Sequence, residues 1–266
     1  MALKTPWDGR IEPFRIFGNL YFVGTVPASC HLIDTGKGLI LIDSGYPQNF
    51  YLVIESIWEL GFKPKDVRYI VHSHGHYDHM GATRSMIELT GAKTFIGEPD
   101  KDFVTWNNPL NWAGLIGYDF TEVFEPDVLL NDGDVVRLGN TEIHCVATPG
   151  HTPGTMSFFF DVEEDGRRLR AGMHGGVGMN SLATSYLKKV GLPLTLQQDF
   201  LDGLERVRKE HVDIFIGNHV GNNDTVGKGK AKKLNPSVNP FINENAWPDF
   251  LDKCKQNMLD CIATGK

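Results

Sequence analysis

Short apolar runs broken by turn residues dominate the first third of the chain. Residues 19–24 read as a strand ending in a turn, and 30–34 with 39–43 read as a hairpin over Thr35-Gly36-Lys37-Gly38. Over residues 49–60 the period changes: apolar positions recur at helical intervals, and the pattern stops at Gly61. Residues 67–71 follow as a strand and 80–89 as a helix ending near Gly91. The second half repeats the theme. Residues 135–138 and 141–147 read as strands, and 156–162 with 168–173 flank Glu163-Glu164-Asp165-Gly166, a hairpin by its turn chemistry. Residues 196–211 predict an amphipathic helix and 213–216 a short strand. From Lys228 onward Pro236, Pro240 and Pro248 predict an irregular tail that leads to a final helix. Neither a linker nor a short-period repeat divides the halves, so the pattern predicts one α/β (α+β) domain over residues 1–266.

Composition narrows the function classes. With 41% hydrophobic and 22% charged residues the chain reads as an ordinary folded protein rather than a disordered one. A formal charge of −7 argues against a broad basic face for nucleic acid, and no apolar stretch reaches the roughly 18–20 residues that span a bilayer. The opening Met1-Ala2-Leu3-Lys4-Thr5-Pro6-Trp7-Asp8 has no apolar core of a signal peptide. The expectation is therefore a cytoplasmic protein, or a mature secreted chain given a new start codon. Cys30, Cys145, Cys254 and Cys261 show no metal-finger spacing. In a helical tail the last two would stand roughly 10 Å apart, too far for a disulfide, so all four are expected reduced.

Residues 101–125 are rich in aromatics: Phe103, Trp106, Trp112, Tyr118 and Phe120. Two readings stay open there, a helical excursion packed on the core or a pocket wall.

Chemistry concentrates at residues 72–79, His-Ser-His-Gly-His-Tyr-Asp-His, which hold four of the chain's 10 histidines. Neutral imidazole is a ligand for borderline transition metals, and an adjacent carboxylate adds an anionic oxygen. Without an ion, such crowding would leave buried ring nitrogens short of partners. Two further histidines follow strand patterns: His151 in Thr148-Pro149-Gly150-His151-Thr152-Pro153-Gly154, and His219 in Gly217-Asn218-His219. Loops at strand ends are where scaffolds present functional groups. His72 and His144 read as packing or surface residues, His31 as structural but beside a loop that could face a pocket, and His211 as a helix-end cation. For His174 a pocket role and a turn role stay open.

His74, His76, Asp78 and His79, then Gly150-His151-Thr152-Pro153-Gly154, then His219, resemble the metallo-β-lactamase fold superfamily. The likeness runs from about Pro13 to Asp224, leaves 225–266 as a tail, and includes Leu41-Ile42-Asp43-Ser44-Gly45. It implies a single-domain αββα sandwich with a dinuclear metal site at one sheet edge. It further implies that His74, His76 and His151 hold one ion, that Asp78, His79 and His219 hold a second, and that Asp43 braces a ligand histidine. The cofactors implied are two divalent ions, zinc first, with iron or manganese as alternatives. One departure is informative: most members carry a metal-bridging aspartate where this chain has Ala171-Gly172-Met173-His174-Gly175-Gly176. Its absence, with no cysteine near the second position, is similar to the His-rich third subclass of metallo-β-lactamases, as is the opening from Pro13 to Thr25.

The activity so implied is metal-dependent hydrolysis. A metal-bridging hydroxide oriented by Asp78 would open a small cyclic amide, a β-lactam being the leading candidate. One ligand carboxylate leaves the ions under-neutralised, which favours an anionic small-molecule substrate. The alternatives are an esterase, thioesterase or lactonase on the same scaffold, and a non-hydrolytic iron-binding protein. Neither nucleic acid nor membrane is an expected partner, and the oligomeric state is open.

Overall fold

The computed structural model describes residues 4–105 and 108–265; Trp106 lies outside them. In the first half, β1 (Phe14–Phe17), β2 (Leu20–Phe22), β3 (His31–Asp34) and β4 (Leu39–Ile42) precede helix α1 (Phe50–Glu59) and β5 (Val67–Val71). Helices α2 (Tyr77–Met80) and α3 (Thr83–Thr90) then lead to β6 (Lys93–Gly97) and β7 (Val128–Leu130). The second half runs through β8 (Val135–Leu138), β9 (Thr141–Ala147), β10 (Met156–Glu164) and β11 (Arg167–Met173). It continues with α4 (Thr184–Val190), α5 (Leu196–Val207), β12 (Ile214–Phe215), α6 (Thr225–Leu234) and α7 (Ala246–Thr264).

Strands β1 to β7 form one sheet in sequence order, antiparallel up to β4 and parallel from β4 to β7. The second sheet has the order β12-β11-β10-β9-β8, with only β11 and β12 parallel. The run Leu39-Ile40-Leu41-Ile42 explains the layering. Strand side chains alternate between faces, and all four are buried, so both faces of the strand are covered. Ile40 and Ile42 join Phe158, Phe160 and Met173 between the sheets, while Leu39 and Leu41 pack with Val53 and Ile57 of α1. On the far side, Phe159 and Phe215 pack under α5 and α7. The result is an αββα sandwich.

Several sequence expectations need correction. The helix expected over 80–89 is two helices: α2 ends at Met80, and the backbone leaves helical values at Ala82, ψ 3, before α3 begins at Thr83. Helix α5 stops at Val207, so His211 stands beyond it and pairs with Asp213 at 3.0 Å. The tail is less irregular than its prolines imply: α6 occupies Thr225–Leu234, capped by Asp224, and Pro236 follows its end. Pro248 lies in the first turn of α7, where a missing N–H costs nothing. Strands β1, β6 and β7 and helix α4 leave no clear period in the sequence; they are short and owe their structure to neighbours.

Among the described residues of 101–125 there is no long helix: short 3-10 turns at Glu98–Val104, Pro109–Asn111 and Gly114–Ile116 give way to irregular chain over 118–125. Phe103 and Phe120 are buried in the core, whereas Trp112 lines a cavity, so each of the two readings holds for part of the stretch. All four cysteines are free and buried. Among the described residues no helix is long and apolar enough to cross a membrane.

Candidate metal centre

The parallel strands β4, β5 and β6 end together at one edge of the first sheet, and β11 and β12 end at the facing edge of the second. Loops from both sheets therefore meet there. Just beyond β4, Asp43 takes a left-handed backbone at φ 59, which aspartate tolerates better than most residues. Its carboxylate accepts from the Ser73 N–H at 2.7 Å, the Ser73 hydroxyl at 2.7 Å and His79 Nδ1 at 2.8 Å. The loop after β5 is thus folded around one buried anion.

Ligand atoms of His74, His76 and His151 lie within 4.8 Å of one another, as do those of His74, Asp78 and His79. His219 completes the cluster, with Nε2 at 3.2 Å from His79 Nε2 and 3.4 Å from Asp78 Oδ2. Backbone carbonyls orient the rings. His74 Nδ1 donates to Gly175 O and His151 Nδ1 to Gly178 O, each at 2.8 Å, and His219 Nδ1 donates to Pro27 O at 3.1 Å. Since a carbonyl can only accept, each of these Nδ1 atoms carries the proton and each Nε2 lone pair is free. Ser181 adds a hydroxyl at 2.8 Å from His151 Nδ1 and donates to the His151 carbonyl at 2.7 Å.

The electrostatics fit a cation. Burial pushes His74 and His76 well below the usual imidazole range and His151 down to about 4, so these rings are neutral at pH 7. His79 behaves otherwise: burial lowers it, but Asp78 and then Asp43 overcome that and raise it to about 10. Burial opposes ionisation of Asp78, yet His79 and His219 hold it far below the usual carboxylate range. The Nε2 atoms of His31, His74 and His174 are buried without a hydrogen-bond partner among the described residues, a costly state for a ring nitrogen. Of these three only His74 belongs to a set of donor atoms within 4.8 Å of one another, where an ion would take its lone pair. Five imidazoles and one carboxylate form a donor set suited to zinc-like ions. The residues fit the group.

A cavity of about 550 Å³ opens over the cluster. His76, Asp78, His151 and His219 line it, with Tyr46, Tyr77 and Trp112 on one wall and Phe250, Lys253 and Asn257 of α7 on another. Trp112 sits in a left-handed conformation at φ 72, its ring 5.5 Å from that of His76. Such a conformation in a bulky residue is costly and persists only where packing imposes it. The wall from α7 was invisible in the sequence, since nothing local to residues 250–257 signals that the tail folds back over the loops.

Other expected residues stand elsewhere. His72 is structural: its ring nitrogens lie 2.8 Å from Phe95 O and 2.7 Å from Thr83 Oγ1, tying β5 to β6 and α3. His174 does not line the cavity. Its Nδ1 accepts from the Gly176 N–H at 3.3 Å, and Met173 beside it is buried between the sheets. His31 is likewise off the cavity, inside β3 with its ring edge-on to Phe22.

Burial lowers His31 to about 4, so the folded protein resists a proton that the unfolded chain accepts near pH 6.5. This contribution is favourable above about 6.5 and is lost as pH falls towards 4. Metal-free protein is expected to lose stability between pH 7 and pH 5, and His31→Leu should reduce that loss by about 2 kcal/mol. Urea unfolding at the two pH values measures it, and identical losses in both proteins would refute it.

The family model for the metallo-beta-lactamase superfamily matches residues 23–165. Among curated proteins, an uncharacterized protein of Aquifex aeolicus is 33% identical over 162 residues, covering 59% of this chain and 71% of that protein. An N-acyl homoserine lactonase of Bacillus thuringiensis is 22% identical over 54% of this chain and 62% of its own length. The hydroxyacylglutathione hydrolase GloC of Haemophilus influenzae is 26% identical over 82% and 94%. The matches with three Bacillus relatives span only 59% to 64% of their length.

Solved structures agree more fully. A mutant of the FEZ-1 metallo-β-lactamase of Legionella gormanii superposes with a TM-score of 0.88 at 27% identity, covering 97% of both chains. BJP-1, a subclass B3 metallo-β-lactamase of Bradyrhizobium japonicum, gives 0.85 at 26% identity over 100% of this chain and 98% of its own. LRA-12, a class B3 di-zinc metallo-β-lactamase from an Alaskan soil metagenome, gives 0.83 at 28% identity over 96% and 95%. With the matched segment covering more than half of its residues and the histidine cluster in place, the chain belongs to the metallo-β-lactamase superfamily and is a metal-dependent hydrolase.

Proposed function

We propose that the cluster binds two zinc ions, one at His74, His76 and His151 and one at Asp78, His79 and His219, and that the enzyme opens β-lactams. The convergence of His74, His76, Asp78, His79, His151 and His219 into one cluster carries the reading. Full-length similarity to FEZ-1, BJP-1 and LRA-12, all named as β-lactamases, supports the substrate class.

When bound, such ions supply Lewis acidity and make water ionisable near pH 7. The protein's part is positioning. Asp78, kept ionised beside His79 and His219, offers an acceptor oxygen at the cavity floor that orients the attacking water. Trp112, Tyr46 and Phe250 provide apolar walls for the body of a substrate and limit bulk water. Lys253 is the one lysine or arginine on the wall among the described residues, and it complements a substrate carboxylate.

A second reading, hydrolysis of a lactone or thioester, draws on similarity to the lactonase and to GloC. Zinc-reconstituted protein assayed against carboxylated β-lactams, a neutral lactone and a thioester separates the two. Lactam turnover that vanishes with chelator and returns with zinc is the expected result. A neutral lactone or thioester cleaved tenfold better than any lactam would transfer the assignment to the second reading.

A further inference from the structure

Immediately after β6, Asp100 is fully buried and touches none of the six clustered donors. Its Oδ2 accepts from the Gly75 N–H at 2.8 Å and the Thr152 hydroxyl at 2.6 Å, and its Oδ1 accepts from the Gly154 N–H at 2.7 Å. Gly75 lies between His74 and His76, and Thr152 follows His151. One carboxylate therefore joins the two loops that carry this trio of rings, although 25 and 52 residues separate it from Gly75 and Thr152.

The packing around it leaves little slack. A Cβ on Gly154 would come within 2.6 Å of Asp100, and one on Gly97 within 2.0 Å of the Gly154 carbonyl oxygen. Phe103, from the same turn, fills the space where a Gly75 side chain would stand, and its ring stacks 6.4 Å from that of His76. Burying a carboxylate is expensive unless its oxygens are satisfied, and here the satisfying donors all come from these two loops. Apolar packing alone would have no need of the charge.

We propose that Asp100 is a positioning residue for the first metal position, holding the His74–His76 segment and the His151 loop in one frame so that three ring nitrogens converge. The second position is braced separately by Asp43 and does not depend on it. This inference rests on the two-ion reading above. Asparagine at 100 would set an N–H₂ group against a backbone N–H or a hydroxyl donor, pushing the loops apart while keeping the volume.

The test is zinc binding, measured by competition with a chromophoric chelator, on metal-free wild type and Asp100→Asn, with urea unfolding of the metal-free proteins alongside. In Asp100→Asn one of two affinities should fall about 10- to 100-fold, the range expected for partners behind metal ligands. In a His151→Ala background, where only the second position remains, Asp100→Asn should change the surviving affinity by less than about threefold. If Asp100→Asn does not fold, Thr152→Val removes a single donor and should lower one affinity several-fold. Unchanged affinities, or an equal fall in the His151→Ala background, would overturn the proposal. Wild type that binds no zinc would overturn it together with the two-ion reading. Wild type that binds two equivalents without lactam turnover would sink only the β-lactam assignment and leave the proposal for Asp100 to the affinities above.

Discussion

His151→Ala is expected to lower hydrolytic turnover of the zinc-supplied protein by more than about 100-fold, with metal content falling from two equivalents towards one. Partners that merely stand behind metal ligands cost 10- to 100-fold when removed, and His151 is assigned a direct donor. The loss should be chemical rather than structural. The Ser181 hydroxyl keeps its bond to the residue 151 carbonyl, and Thr152 keeps its bond to Asp100, so the loop retains its anchors. Circular dichroism and unfolding close to wild type, together with the lost turnover, would complete the result. Full turnover in the variant would remove His151 from the machinery.

Asp43→Ala carries the largest expected effect on stability. Its carboxylate receives three hydrogen bonds, and without it the Ser73 N–H, the Ser73 hydroxyl and the His79 ring lose a buried acceptor. Removing one partner of a buried ion pair costs about 3–5 kcal/mol, a large share of a typical total of about 5–15 kcal/mol. Alanine also tolerates the left-handed φ of 59 less well than aspartate. The sign of the pH dependence follows from His79, raised to about 10 in the fold. The stabilisation it gains is complete below about pH 6.5 and fades as pH rises through 10. The penalty of Asp43→Ala in metal-free protein should therefore be greatest near neutral pH and smaller at alkaline pH. Urea unfolding of both proteins across that range reports it, and a penalty under about 1 kcal/mol at pH 7 would be incompatible with this role.

The histidine motif at 72–79 was legible because several metal-ligand side chains within eight residues have no common packing explanation, and the strands at 67–71, 135–138 and 141–147 match β5, β8 and β9 residue for residue. Asp43 was visible through the same family likeness, and its carboxylate accepts from Ser73 and His79. Asp100 was not legible. Its segment, Glu98-Pro99-Asp100, reads as an ordinary acidic turn, and only the approach of β6 to the 150–154 loop turns it into a buried anchor. Lys253 and Phe250 escaped for a similar reason: an amphipathic helix reveals that it has a buried face, not which loops that face covers.

Local chemistry in the chain was sufficient to specify the donor types, their three loops and the alternation of strands and helices. Those properties depend on residue identity and on spacing along a few turns. The pairing of the donors into one cavity, the burial of His31 and His174 away from it, and the wall supplied by α7 were decided by packing between segments far apart in sequence. Such contacts arise when two sheets bury their apolar faces against each other, and nothing in either strand alone encodes which loop will then stand opposite which.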